Sequence, residues 1–185
     1  MPAPALQTPR LTLRAILPED RPALTAILAD PVAMEHMHYR HWNEAQRERW
    51  VDMALEIAAQ PDADSVLWII ELTETGDVIG WFGMGNPARP DLAGDLSFED
   101  VLARSHWNQG LMTEAMRAVF AHAFDALGVP RINANCHPAN GGSARVMEKA
   151  GMRFLYAKSA PDQEGTWREQ RYFRITRADW GASAR

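Results

Sequence analysis

The sequence predicts a mixed α/β fold in a single domain over all 185 residues, 1–185. Two turns carry that prediction, because in each a strand-like run passes through a short polar loop into a periodic helix. The first begins with Leu96-Ser97-Phe98-Glu99-Asp100-Val101-Leu102 and passes through Trp107-Asn108-Gln109-Gly110. Beyond it Met112, Met116, Val119, Phe120, Ala123 and Leu127 recur at helical spacing. The second runs from Arg131-Ile132-Asn133-Ala134-Asn135-Cys136 through His137-Pro138-Ala139 into a short helix over 140–150, with Gly151 as its C-cap. The third observation is order. The segments read β–α–α–β–β–β–α–β–α–β–β, with no repeat, low-complexity tract or compositional break to mark a boundary.

Each further element has its own signal. Leu11 and Leu13 alternate with Thr12 and Arg14 as the first strand. Pro18-Glu19-Asp20 opens a helix whose apolar side is Leu24, Ile27 and Leu28. Asn43, with Gln46 three residues on, forms a capping box for a second helix bearing Trp50, Ala54, Ile57 and Ala58. Apolar runs over 66–72 and 78–84 join through Thr73-Glu74-Thr75-Gly76-Asp77 as a hairpin. Residues 86–94, with two prolines and a glycine, read as a loop. Runs over 153–157 and 170–177 close the chain as strands around a polar loop.

Composition limits the function. With 46% hydrophobic residues the chain can bury a sizeable core, and a net charge of -5 argues against nonspecific nucleic-acid binding. The acidity favours a cationic partner. A single cysteine, Cys136, excludes an internal disulfide and fits a reducing compartment. Residues 1–10 lack the apolar stretch of a signal peptide, and no run reaches membrane-spanning length, so the expected compartment is the cytoplasm and no membrane partner is expected. His36, His38 and His41 fall within six residues, but no Cys or carboxylate completes a metal set at the usual spacing. No metal is expected.

The loop at Gly110 carries chemistry. A helix entered through a tight turn presents unpaired N–H groups and the positive end of its dipole, a site for phosphate or pyrophosphate. The motifs Gly-x4-Gly-Lys-Ser/Thr and Gly-x-Gly-x-x-Gly are both absent at this turn. By itself Gly110 is equally a strain-relieving turn residue.

The run Trp107-Asn108-Gln109-Gly110-Leu111-Met112-Thr113-Glu114-Ala115 resembles the acetyl-CoA loop of the GNAT N-acetyltransferases in the form of the RimJ/RimL-like branch. Asn140, Ser143, Glu148, Lys149, Gly151 and Met152 resemble that branch's second motif, with Met152 in the place of a phenylalanine. Thr8-Pro9-Arg10-Leu11-Thr12-Leu13-Arg14, Asp30-Pro31 and Arg177-Ala178-Asp179-Trp180 resemble its opening and close, so the likeness spans about 8–180. The resemblance implies the GNAT fold, a strongly bent mixed β-sheet flanked by about four helices with splayed central strands. It implies acetyl-CoA as cosubstrate and a primary amine as acceptor, in a monomer or homodimer. The acceptor stays open between a protein N-terminus and a small amine or antibiotic.

Site roles follow from the same resemblance. The backbone of Val101, Leu102 and Ala103 is the stretch that would pair with the pantetheine arm. The N–H groups of Gln109, Gly110, Leu111, Met112 and Thr113 would hold the pyrophosphate, although Met112 replaces the small residue common in the superfamily. Trp107 reads as a loop anchor. Asn140 would address the arm while also capping its helix. Many GNAT enzymes carry an acid tyrosine seven residues after that asparagine; here the place is Met147, which leaves Ser143 to protonate the departing thiolate or simply to cap the helix. Glu99 or Asp100 is the candidate base, with a salt-bridged strand residue as the other reading. Alternation sends their side chains to opposite faces, so at most one addresses the amine. The segment 36–42 would overhang the acceptor cleft with Tyr39 and Trp42 as walls, unless Trp42 staples the second helix and the acceptor lies by the loop 86–94. Met147 and the unassigned base also leave open a CoA-binding sensor or interaction module that has lost catalysis.

Overall fold

The computed structural model describes residues 3–37, 39–60, 65–85, 95–161 and 167–183. Among these residues eight strands form one sheet in the order β1-β2-β3-β4-β5-β6-β8-β7. They are β1 (Leu6–Gln7), β2 (Leu11–Arg14), β3 (Ser65–Leu72), β4 (Val78–Gly85), β5 (Leu96–Leu102), β6 (Arg131–Cys136), β7 (Arg153–Pro161) and β8 (Trp167–Thr176). Every neighbouring pair is antiparallel except β5–β6. Five helices flank the sheet: α1 (Arg21–Ala29), α2 (Glu44–Ala58), α3 (Leu111–Ala121), α4 (Gly141–Lys149) and α5 (Arg177–Ser183). The mixed, helix-flanked sheet is the one the sequence predicts.

Strand alternation divides the core in two. Ile69, Trp81 and Val101 turn toward α1 and α2, where Leu24, Ile27, Leu28, Trp50, Val51 and Ala54 bury them. The rings of Trp50 and Trp81 lie 4.9 Å apart. Their neighbours Trp68, Ile70, Phe82 and Leu102 turn to the other face, against Met112, Met116, Val119 and Phe120 of α3 and Met147 of α4. The predicted capping box starts α2, with Asn43 accepting from the Gln46 amide and Gln46 from the Asn43 amide.

Three readings change. A two-residue strand, β1, precedes the expected first strand. The last strand stops at Thr176 because Thr176 and Asp179 exchange bonds, each side chain taking the other's amide, and this capping opens α5. The signal Thr-x-x-Asp was present in the sequence at Thr176 and Asp179. Finally, α3 ends at Ala121 and a π turn follows, His122–Ala126, closed by the Leu127 amide donating to the His122 carbonyl. The wider turn rotates Leu127 off the apolar stripe, so it stands 48% exposed while Ala123 remains buried. The closing strands run longer than expected. His38 and the loops expected at 86–94 and between the closing strands, at 162–166, lie outside the described residues.

Candidate functional site

The parallel pair β5–β6 has two unlike ends. Its register covers only Leu96 with Ile132 and Ser97 with Asn133. Beyond Ser97 β5 pairs with β4 alone, and beyond Asn133 β6 pairs with β8 alone, so the two strands part into a gap. The paired end is clasped. Asp95, fully buried, accepts from the Arg131 guanidinium at 2.7 Å and from the Asn133 amide at 2.8 Å. Asn133 in turn accepts from Arg174 of β8 at 2.7 Å.

The open end faces the N-terminus of α3. Asn108 and Gly110 hold positive φ, 59° and 77°, which folds the loop back beneath the helix. Gly110 supplies a left-handed cap that a β-carbon would strain. Among the described residues no acceptor takes the amides of Gln109, Gly110, Leu111, Met112 or Thr113. The turn is braced from the chain's start: Arg10 pairs with Glu114 at 2.6 Å and donates to the Gln109 carbonyl at 3.0 Å, and Thr8 donates to Glu114 at 2.7 Å. Burial pushes the Glu114 carboxyl up, but the bonds from Thr8 and Arg10 outweigh it and hold it below its ordinary value. The opening motif and the loop motif are thus two halves of one brace.

The ladder decides which backbone groups of β5 face the gap. Ala103 donates its amide to Ile79 of β4 and accepts from His106 at its carbonyl, so Ala103 has nothing left for a ligand. Alternation then turns the amides and carbonyls of Glu99 and Val101 toward β4 as well, and those of Phe98, Asp100 and Leu102 into the gap. Of the expected stretch Val101, Leu102 and Ala103, Leu102 turns its main-chain groups toward the gap, and Asp100 does so too. The Leu102 carbonyl already accepts the Trp107 indole at 2.8 Å, so Trp107 anchors the loop to the strand.

Side chains on the two faces of the gap differ. On the α3–α4 face, burial and the Glu99 charge push the Asp100 carboxyl up to about 7. Cys136 sits near Asp100: burial raises its thiol, while Arg171 and a hydrogen bond with Ser143 pull it back. Ser143 stands in the first turn of α4, its amide bonded to the Asn140 side chain at 3.0 Å. The cap reading of Asn140 is therefore realised, and Met147 is wholly buried beneath it. On the α1–α2 face, Glu99 lines a cavity of about 320 Å³ under α2, floored by Gly83 and walled by Trp50, Met53 and Ile57. Burial raises the Glu99 carboxyl.

A parted parallel pair closed at one end, and a brace of free amides at the other, suit an extended chain ending in a pyrophosphate. Residues 10–153 match the family model described as Acetyltransferase (GNAT) domain. The chain belongs to the GNAT acetyltransferases. It is an N-acetyltransferase that depends on acetyl-CoA. It is 28% identical over 166 residues to the uncharacterized N-acetyltransferase YoaA of Bacillus subtilis (strain 168), covering 85% of this chain and 92% of that protein. The crystal structure of a GNAT-family acetyltransferase from Bacillus anthracis superposes with a TM-score of 0.79 at 22% identity, covering 95% of this chain and 99% of that one. The aminoglycoside acetyltransferase AAC(6')-Ib, solved with coenzyme A, gives 0.75 at 20% identity, covering 95% and 99%. These structural likenesses establish the GNAT fold.

Within this GNAT enzyme the segment 36–42 is partly interior. Tyr39 is 2% exposed and packs its ring 4.8 Å from Trp42, inside the α1–α2 core. Burial, then the charges of Glu99 and Asp100, push its phenol well above its ordinary value. Neither ring lines the cavity under α2. His36 stacks on His137 at 5.4 Å, joining the segment to the turn before α4, and His41 is exposed. Sequence reasoning missed the Asp95 clasp and the cavity. Gly83, mid-strand in an apolar run, was the available signal for the cavity. Among the described residues no helix is long and apolar enough to cross a membrane.

Proposed function

We propose that this chain acetylates a primary amine by direct transfer within a ternary complex, as a member of the RimJ/RimL-like branch. The observation that carries the reading is the division of labour around the gap, with Glu99 on the cavity side and Ser143 on the α4 side. Bound acetyl-CoA supplies an acetyl group activated as a thioester. The amides of 109–113 would hold its pyrophosphate, and the Leu102 amide with the Asp100 backbone would pair with its arm. The acceptor nitrogen forms the new C–N bond as the C–S bond breaks. Glu99, its carboxyl raised by burial, takes the ammonium proton and so frees the nitrogen lone pair, and the second proton, shed as the C–N bond forms, leaves to solvent. Ser143 gives a proton to the departing thiolate and regains one from solvent.

Steady-state thiol release tests both roles. General acid or base catalysis contributes about 10²–10⁴-fold. Ser143→Ala and Glu99→Gln are each expected to lower kcat at least about tenfold, with the acetyl-CoA Kd moved less than about twofold, the pattern of a contact made mainly in the transition state. A loss under about threefold for Ser143→Ala, with product release excluded as the slow step, reduces Ser143 to a helix residue beside its cap.

A further inference from the structure

The cavity under α2 constrains the acceptor more narrowly than the family does. The cavity, about 320 Å³ and open to solvent on one side, holds the volume of about ten waters at ~30 Å³ each. Trp50, Met53, Ala54, Ile57 and Leu67 make its walls apolar, and Glu99 is the one ionisable side chain among the described residues lining it. Of its two serines, Ser97 has its hydroxyl engaged, donating to the Gly85 carbonyl at 3.4 Å. Met53, at 47% exposure, leaves apolar surface at the mouth.

Gly83 is the second observation. A β-carbon there would stand 3.5 Å from Leu67 Cδ1 and 3.6 Å from Glu99 Cγ, ordinary contacts, and its φ lies outside the left-handed region. Neither packing nor backbone therefore demands glycine. A strand-interior glycine without such a demand marks a place where something else approaches the backbone, and here it lies beside the Glu99 carboxylate. Among the described residues lining the cavity, a second ammonium would find no counter-charge beyond Glu99 and a peptide's amides would meet mainly apolar side chains, and both are costly.

We propose that the acceptor is a monocationic primary amine on an apolar body, an arylalkyl- or alkylamine, whose ammonium pairs with Glu99 and whose body lies over Gly83 against Trp50 and Ile57 of α2. The inference rests on the transferase reading above and names its substrate class. The experiment compares 2-phenylethylamine and heptylamine with kanamycin and a seryl N-terminal peptide, by thiol release from acetyl-CoA and, separately, by ligand-observed NMR of amine binding. The simple amines are expected to give a kcat/KM at least tenfold above the other two. Gly83→Ala is expected to raise the KM for 2-phenylethylamine at least fivefold while the acetyl-CoA Kd stays within twofold. Met53→Arg, an exposed change at the mouth, is expected to raise the same KM by repelling the cation, which keeps the test standing should Gly83→Ala fold poorly. Turnover of kanamycin or the peptide at equal or higher kcat/KM overturns the substrate class and leaves the transferase reading intact. Amine binding that responds to both variants, with no acceptor acetylated, sinks the transferase reading and leaves the cavity's chemistry standing. No amine binding, or a KM indifferent to both variants, overturns the proposal.

Discussion

The two ends of the β5–β6 pair are built from the same strands and do opposite things. At the closed end Asp95, Arg131, Asn133 and Arg174 satisfy one another from three strands, and the sheet is continuous. At the open end, five residues along, the backbone of Asp100 and Leu102 faces a gap, and order comes from the braced turn at Gly110. A ligand can enter a sheet as an extra strand only where pairing has been withheld, and pairing withheld at one end needs a lock at the other. Charge-assisted side-chain bonds form the lock, and free main-chain amides are the proposed receptor.

The largest expected effect comes from breaking the lock. Arg131→Met leaves the fully buried Asp95 carboxylate with Asn133 alone. Asp95 is buried but Arg131 is 44% exposed, so solvent screens part of the pair, and the cost is taken at the low end of the about 3–5 kcal/mol for a fully buried one. At about 2–4 °C per kcal/mol for a chain of this size, the melting temperature is expected to fall by at least about 6 °C. A fall under about 2 °C in a thermal melt would mean that the ladder, and not the clasp, holds the closed end.

Next is the hinge of the open end. A β-carbon at Gly80 would stand 2.2 Å from the Val101 carbonyl oxygen and 3.1 Å from Leu102 Cα. Both contacts are backbone, so Gly80→Ala must push β5 toward the gap or strain β4. Overpacking of this kind costs about 1–3 kcal/mol. The expected signature is a lower melting temperature together with weaker acetyl-CoA binding, since Leu102 moves. A destabilised variant with unchanged affinity would separate the hinge from the binding edge.

Gly110→Pro addresses the receptor itself. Proline fixes φ near −65° where Gly110 holds 77°, and it removes one of the free amides. Acetyl-CoA affinity is expected to drop at least tenfold, about 1.4 kcal/mol, by calorimetry on protein shown to be folded by circular dichroism. Unchanged affinity sinks the loop assignment.

What the sequence made legible follows the same division. The Gly110 turn could be read because its whole signal, strand, glycine and periodic helix, lies within 96–127 and depends on main-chain chemistry. The opposed faces of Glu99 and Asp100 could be read from strand period alone. The clasp could not, since Asp95, Arg131, Asn133 and Arg174 meet only once β5, β6 and β8 are in register. The cavity is likewise assembled from α2, β3, β4 and β5, and its most informative residue is an absence of side chain at Gly83. Tyr39 illustrates the converse. An aromatic in a loop between helices read as a wall of a cleft, and tertiary packing placed it in the core.

The smallest expected effect concerns Asp100 and sharpens the comparison without breaking either end. Its carboxyl rises from 3.8 to about 7, by burial first and then by the Glu99 charge. Between those values the folded chain holds a proton that the unfolded chain has released, so stability declines as pH rises through that window and levels off above it. Glu99, also raised by burial, adds a decline of the same sign. Asp100→Asn removes the first contribution, so melting temperatures measured from pH 4.5 to 8 should fall less steeply than in the parent, and the variant should be the more stable of the two at pH 8. A parent profile that is flat from pH 5 to 7, or a slope that Asp100→Asn leaves unchanged, would show that water entering the gap solvates Asp100 and that the open end is wet even without its ligand.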